Sequence, residues 1–261
     1  MNGPAGVMAL VLAESAGGGV AFLFLTPLWR EVRPGFFYLT GALVVALAAG
    51  AAATAAGAYD PGTASAGRLA AALAAALGGA TVAWLALMVV KLRSAARIVG
   101  IATVPLAIAM LVAFARTTDE SLGLSIFQLL AGALFTGAVL DGLLLGHWYL
   151  TDRKLPRTPI NRMAWLLIGS VVIEAAAVIA GFGSGNGGSS SNSLNPLLTV
   201  GGSASWIAMG MVACTGLIAA FIRLTLRGNR PTAVQSATGF FYLAVITSFT
   251  AEIAAKVRLL P

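Results

Sequence analysis

Residues 69–97 read LAAALAAALGGATVAWLALMVVKLRSAAR. No charged side chain occurs from Leu69 to Val90, and then Lys91, Arg93 and Arg97 follow in quick succession. A helix needs about 20 apolar residues to cross the hydrocarbon core of a bilayer. An apolar stretch of that length, closed by cations, reads as a membrane span whose end is held at the cytoplasmic face.

The same pattern recurs along the chain. Apolar stretches lie near 5–29, 35–58, 69–90, 98–115, 122–150, 163–182, 197–222 and 236–255, separated by polar, charged or Gly/Pro-rich breaks. The fourth is short and contains Pro105, which membrane helices tolerate better than soluble ones. The composition agrees: 59% of the 261 residues are hydrophobic and only 10% are charged, against roughly 25% charged in a soluble domain. A chain with so little polar surface needs lipid as its solvent. The expected fold is an all-α polytopic transmembrane bundle of about eight spanning helices, forming a single integral membrane domain over residues 1–261. The first stretch is read as a span rather than a signal peptide. It lacks a basic n-region and continues apolar past Ala13 to Trp29.

The cations set the orientation. The first connection holds Arg30 and Arg33. The third holds Lys91, Arg93 and Arg97, the fifth Arg153, Lys154, Arg157 and Arg162, and the seventh Arg223, Arg227 and Arg230. Twelve of the sixteen basic residues therefore fall in odd connections, leaving Arg68 and Arg116 in even ones and Lys256 and Arg258 in the C-terminal tail. By the positive-inside rule the odd connections are cytoplasmic. Both termini are then outside the cytoplasm, and the chain belongs in the cytoplasmic (inner) membrane of a prokaryote. Residues 183–195, rich in Gly, Ser and Asn, become a flexible external linker. The net charge of +7 is explained by topology, so nucleic acid is not an expected partner.

Two copies of one pentapeptide stand out, Gly35-Phe36-Phe37-Tyr38-Leu39 and Gly239-Phe240-Phe241-Tyr242-Leu243. Convergent interfacial anchoring by aromatic residues and duplication of a helical hairpin both account for the pair.

Few residues can carry chemistry. The single cysteine, Cys214, and the single histidine, His147, cannot build a zinc site. There is no P-loop, no GxSxG and no other catalytic motif. One histidine also cannot give bis-histidine haem, and none of the seven methionines is marked as an axial ligand.

Four acids fall inside apolar stretches: Glu14, Asp141, Glu174 and Glu252. A carboxylate at mid-bilayer costs about 2.5 to 3.5 kcal/mol on insertion scales, so these residues should face the bundle interior, each beside a polar neighbour. No Lys or Arg is expected deep in a span. The four acids are candidates for a proton path across the membrane, with packing hydrogen bonds as the plainer role. The segment Asp141-Gly142-Leu-Leu-Leu-Gly146-His147-Trp148-Tyr149-Leu150 is the most distinctive. Gly142 and Gly146 form a GxxxG groove for close helix packing. Asp141, His147, Trp148 and Tyr149, near the cytoplasmic end, are candidates for a quinone site, in which His147 would bond a carbonyl or relay a proton. A histidine in an aromatic belt is the plainer account.

Helix count and orientation together resemble the eight-helix NrfD/DmsC-like membrane anchor subunits of molybdopterin and iron–sulfur oxidoreductases, which interact with quinol. That resemblance implies a membrane subunit of a respiratory or electron-transfer complex. Quinone would be its ligand, and partner subunits on the basic cytoplasmic face would supply the redox centres. A proton-coupled transporter of a small solute is the alternative, with Glu14 and Glu174 as coupling acids. The topology is tested by cysteine labelling in intact cells. Ser190→Cys should react with an impermeant maleimide from outside, and Arg157→Cys only after permeabilisation; the reverse pattern inverts the orientation.

Overall fold

The computed structural model describes residues 3–26, 28–58, 64–152, 155–182, 203–228 and 232–257. Among these the chain is all-helical: α1 (Gly3–Leu25), α2 (Leu28–Glu31), α3 (Pro34–Gly57), α4 (Ala64–Val89), α5 (Arg93–Ala115), α6 (Leu122–Thr151), α7 (Thr158–Phe182), α8 (Ser203–Arg227) and α9 (Ala233–Val257). All but the one-turn α2 are long and apolar enough to cross a membrane, eight in all, as in a multi-pass membrane protein. Each expected span has one counterpart. The linker 183–195 lies outside the described residues.

The differences lie at the ends. The first long helix stops at Leu25 rather than running through Trp29, which belongs to α2. Pro27 stands between them in the sequence, and proline both lacks an N–H and disfavours helix in the residue before it. Pro34 opens α3 at a position where its missing N–H costs nothing. Pro105 is accommodated inside α5. Arg223 and Arg227, expected in a connection, lie within α8, and Lys256, expected in a tail, lies within α9.

The long helices form two rings of four. In the first, α1 packs on α3, α3 on α4, α4 on α5, and α5 back on α1. In the second, α6 packs on α7, α7 on α8, α8 on α9, and α9 back on α6. The neighbour pattern of one ring thus repeats in the other. The rings meet chiefly along α1 and α6, with α9 also touching α1 and α5 touching α6. The two central helices are the most buried of the eight. They run parallel, since Glu14 meets Gly132 and, further along, Gly18 meets Gly137.

The Gly18–Gly137 crossing is backbone on backbone. A Cβ on Gly18 would land on the Ala133 carbonyl, and one on Gly137 would land on the Gly18 backbone. Small residues permit such approach where lipid removes any hydrophobic drive between helices. Gly142 and Gly146 of the GxxxG segment face α9 instead, where they leave room for Phe241 and Thr238.

The two pentapeptide copies are not equivalent under the ring repeat. The first lies in the opening turn of α3, with Gly35 against Trp148; the second lies in the second and third turns of α9, with nothing near Gly239.

One end of the bundle gathers the first, fifth and seventh connections. Arg162 of α7 makes a two-pronged ion pair with Glu31 of α2 at 2.7 and 2.9 Å. Arg33 Nε lies 3.1 Å from Asp152 Oδ2, and Arg157 donates to the Gly228 carbonyl at 2.7 Å. This is the basic end. The opposite end carries Arg68 and Arg116.

The crossing gives a packing test. Gly137→Val should lower the thermal midpoint in detergent by the equivalent of about 1–3 kcal/mol, the scale of an overpacked interior. Gly239→Val, with open space around it, should leave the midpoint within error. Equal effects would mean that the α1–α6 crossing is not close.

Candidate functional site

Among the described residues the most concentrated chemistry lies where α1, α6 and α9 converge, with α7 packed behind α6. Helix α1 supplies Glu14, its middle residue. Helix α9 supplies Glu252 and Lys256, one turn apart and so on the same face. Lys256 Nζ lies 2.8 Å from Glu14 Oε1 and 3.0 Å from Glu252 Oε2. Relative exposure is 1% for Lys256 and 0% for both glutamates.

Helix α6 contributes an absence of side chain. A Cβ on Gly132 would sit 2.6 Å from Glu14 Oε1 and 2.8 Å from Glu252 Oε2. Both ammonium-bound oxygens therefore lie against the bare backbone of α6. Glu14 Oε2 and Glu252 Oε1 have no hydrogen-bond or ion-pair partner among the described residues. Helix α7 brings Glu174, buried and within electrostatic reach of both Lys256 and Glu14.

The charge count fixes what this arrangement can do. Among the described residues one ammonium balances one carboxylate, and two carboxyls, Glu14 and Glu252, are in direct contact with it. Uncompensated charge in a low-dielectric interior is costly. A neutral Glu14–Lys256–Glu252 cluster therefore requires one proton shared between Glu14 and Glu252. Such a group of carboxyls can exchange protons with one another and with any path that reaches it.

Lys256, expected in the C-terminal tail, lies instead in the last turn of α9 and is buried. Helix α9 runs to Val257, so the lysine is helical rather than part of a tail, and its flexible four-carbon stem carries the charge inward. A signal was available: Glu252 and Lys256 stand at i and i+4, with the glutamate N-terminal, the favourable order for a helical pair.

Of the four intramembrane acids, Glu14, Glu174 and Glu252 come together and Asp141 does not. Asp141 lies nine residues beyond Gly132 on α6, about 13 Å of rise and half a turn out of phase. It is buried, and neither carboxyl oxygen has a partner among the described residues. The expected polar neighbour is missing at this one position.

His147, Trp148 and Tyr149 point apart, whereas Asp141 and Trp148, seven residues apart on α6, share a face about two turns from each other. Asp141 faces inward. His147 is exposed, with Nε2 3.0 Å from the Tyr242 hydroxyl of α9 and the two rings edge to face. Trp148 packs over Gly35 of α3. Tyr149 is buried and donates to the Pro156 carbonyl at 2.5 Å. Successive helical residues are about 100° apart, so neighbours in sequence cannot share a face. Among the described residues no group of three or more His, Cys, Asp or Glu side chains is placed to hold a metal ion.

No protein-family model matches the chain, and no curated protein and no solved structure matches it.

Removing one partner of a buried ion pair leaves the other uncompensated, at a cost of about 3–5 kcal/mol. Lys256→Met should therefore strongly lower the thermal midpoint in detergent. Adding Glu14→Gln to it should recover part of the loss, because one stranded carboxylate is removed. Additive losses in the double variant would show that the pair is not coupled.

Proposed function

We propose that this chain is an integral protein of a prokaryotic cytoplasmic membrane that moves protons, serving as the membrane subunit of an electron-transfer complex. The observation that carries the proton role is the Glu14–Lys256–Glu252 cluster, with Glu174 beside it, sealed inside the bundle and holding more carboxyls than one ammonium balances. Ionisable groups are rare in membrane interiors and mark ion or proton pathways there.

In this reading the basic end faces the cytoplasm and both termini lie outside. The concentration of arginines at the end where the first, fifth and seventh connections meet supports that orientation. Exposed aromatics near the two ends of α7 suit the two membrane interfaces, with Trp165 towards the basic end and Phe182 edge to face with Trp206 at the other. Trp165 and Phe182 are seventeen residues apart, about 25 Å of helix rise, close to the roughly 30 Å hydrocarbon thickness of a bilayer. The basic cytoplasmic face is where partner subunits would dock. A quinone would meet the protein near Asp141, the buried acid closest to that face, rather than at a site shared by His147, Trp148 and Tyr149.

A proton-coupled carrier of a small solute is the second reading. One observation favours it: the Glu14–Lys256 pair joins one four-helix ring to the other, as a coupling site between moving halves would. The resemblance to eight-helix anchors favours the first.

Proteoliposomes containing the chain alone, with a pH-sensitive dye inside, separate the readings. A proton-moving chain acidifies the lumen under an imposed potential. Glu14→Gln should lower the initial rate roughly a hundredfold, the scale of losing a proton-transfer group, and His147→Ala should leave it unchanged. A carrier reaches full flux alone on addition of its solute. A complex subunit does so only with its partners, and Asp141→Asn should then reduce quinone-linked turnover in a pH-dependent manner. Wild-type flux equal to that of empty liposomes under all these conditions would reject proton movement.

A further inference from the structure

The molecule carries ion pairs between its two rings on both sides of one bare backbone crossing. The crossing is Gly18 of α1 on Gly137 of α6. On one side of it, about a turn away towards the opposite end, Glu14 of the first ring is paired with Lys256 of the second. On the other side, at the basic end, Glu31 of α2 is paired with Arg162 of α7, and Arg33 before α3 with Asp152 after α6. The segments in each pair belong to different rings or lead into them, so these contacts hold the rings together at two levels.

We propose that the two four-helix rings are moving parts that rock about the Gly18–Gly137 crossing, with the Glu14–Lys256–Glu252 cluster as a buried lock on one side and the Glu31–Arg162 and Arg33–Asp152 pairs as a surface latch on the other. The deduction rests on the reading of Glu14 as a proton-exchanging group and supplies the motion that such exchange would drive.

The two closures differ in kind. The latch lies at the surface, with the Arg33 side chain mostly exposed; an exposed pair of that kind is weak and readily reopened, whereas the two-pronged Arg162–Glu31 pair is partly covered and is the firmer half of the latch. The lock is dry, so it responds steeply to charge. A proton on Glu14 removes its attraction to Lys256, leaving Glu252 as the ammonium's remaining bonded partner, and Glu252 lies in the same ring as Lys256. The inter-ring tie is lost while the intra-ring tie persists.

Among the described residues the groups facing Glu14 are few. Helix α9 brings Lys256 and Glu252, and α7 brings Glu174 into electrostatic reach. Helix α3 has no ionisable side chain but Tyr38 near its start. In α5 Arg93 and Arg97 lie at the basic end, and in α6 Asp141, His147 and Tyr149 lie further towards that end. Protonation at this site is therefore read almost wholly by α9 and α7, both members of the second ring. Repeats that run in the same direction and meet at a mid-depth site are an arrangement in which rigid-body rocking is already known among membrane transporters.

The test is a pair of distances in the full chain, held in lipid nanodiscs, with Cys214→Ala as background. Spin labels at Leu69→Cys of α4 and Ile207→Cys of α8 report the opposite end. Labels at Val90→Cys and Leu224→Cys report the basic end. All four positions are exposed and each pair spans the two rings. Between alkaline and acidic pH the two distances should shift in opposite senses, with Glu14→Gln abolishing the shift at both ends. Distances that do not change with pH, or that change in the same sense, overturn the rocking motion. A reciprocal shift that survives in Glu14→Gln overturns Glu14 as the lock. The label distances report the motion whether or not net flux is seen in proteoliposomes, so failure of the motion and failure of the proton reading are told apart.

Discussion

A lysine ammonium with no access to water has to be surrounded by groups that replace its hydration, and in this protein that requirement reaches into three helices. Glu252 is supplied by the preceding turn of the same helix, which needs only that α9 remain helical to Val257. Glu14 has to come from elsewhere, and it comes from the middle of α1, so α1 must lie at the centre of the bundle. For both carboxylates to reach the ammonium, α6 must offer no side chain at the level where they meet. Gly132 meets that condition, since a methyl group there would overlap oxygens of both glutamates. A chain that buries one cation in this way has its central helices, their register and one glycine fixed by a single electrostatic demand.

The glycines along the α1–α6 seam are the mechanical complement of that demand. In lipid, apolar side chains gain nothing by leaving their surroundings for one another, so helices associate through close packing and polar contacts. Gly132 admits the carboxylates, and Gly18 with Gly137 brings the two backbones together just beyond them. Separating the helices at the crossing would also lengthen the Glu14–Lys256 distance. Packing and electrostatics are therefore coupled over a few ångströms, and either can transmit a change in the other.

Much of the architecture was legible because bilayer physics writes it in composition. An apolar run of about twenty residues has few alternatives to a span, and eight such runs gave eight helices. Arginine-bearing connections were distinguishable from the rest by charge alone, and three of the basic connections do meet at one end. What the linear sequence concealed was direction around the helix axis. His147, Trp148 and Tyr149 are adjacent in the chain and looked, with Asp141, like one site, yet the three point to different neighbours, Tyr242, Gly35 and Pro156. Glu14, Glu174 and the Glu252–Lys256 pair are far apart in the chain, yet Glu14 meets that pair directly and Glu174 lies within its electrostatic reach. Lys256 was the hardest to place, because a cation one residue past the expected end of a span reads as an interfacial anchor. Only its spacing from Glu252 hinted that it belonged to the helix.

The two rings share a neighbour pattern but not a chemistry. Three of the four charged members of the cluster, Glu174, Glu252 and Lys256, belong to the second ring, and the first contributes Glu14 alone. Counting α6 forward from its start as α1 is counted from its own, Gly18 and Gly137 fall at the same position, whereas the position matching Glu14 is Ala133. A second, symmetry-related copy of the cluster is therefore absent from the described helices, which carry the site once, at the boundary between the rings. A packing device could be repeated on both sides without cost, and the glycine crossing, which lies on the seam, is shared equally by the two rings. A charged cluster is different. Each buried copy would add its own desolvation penalty, so a single cluster bridging two halves is the arrangement that lets one protonation event act on both.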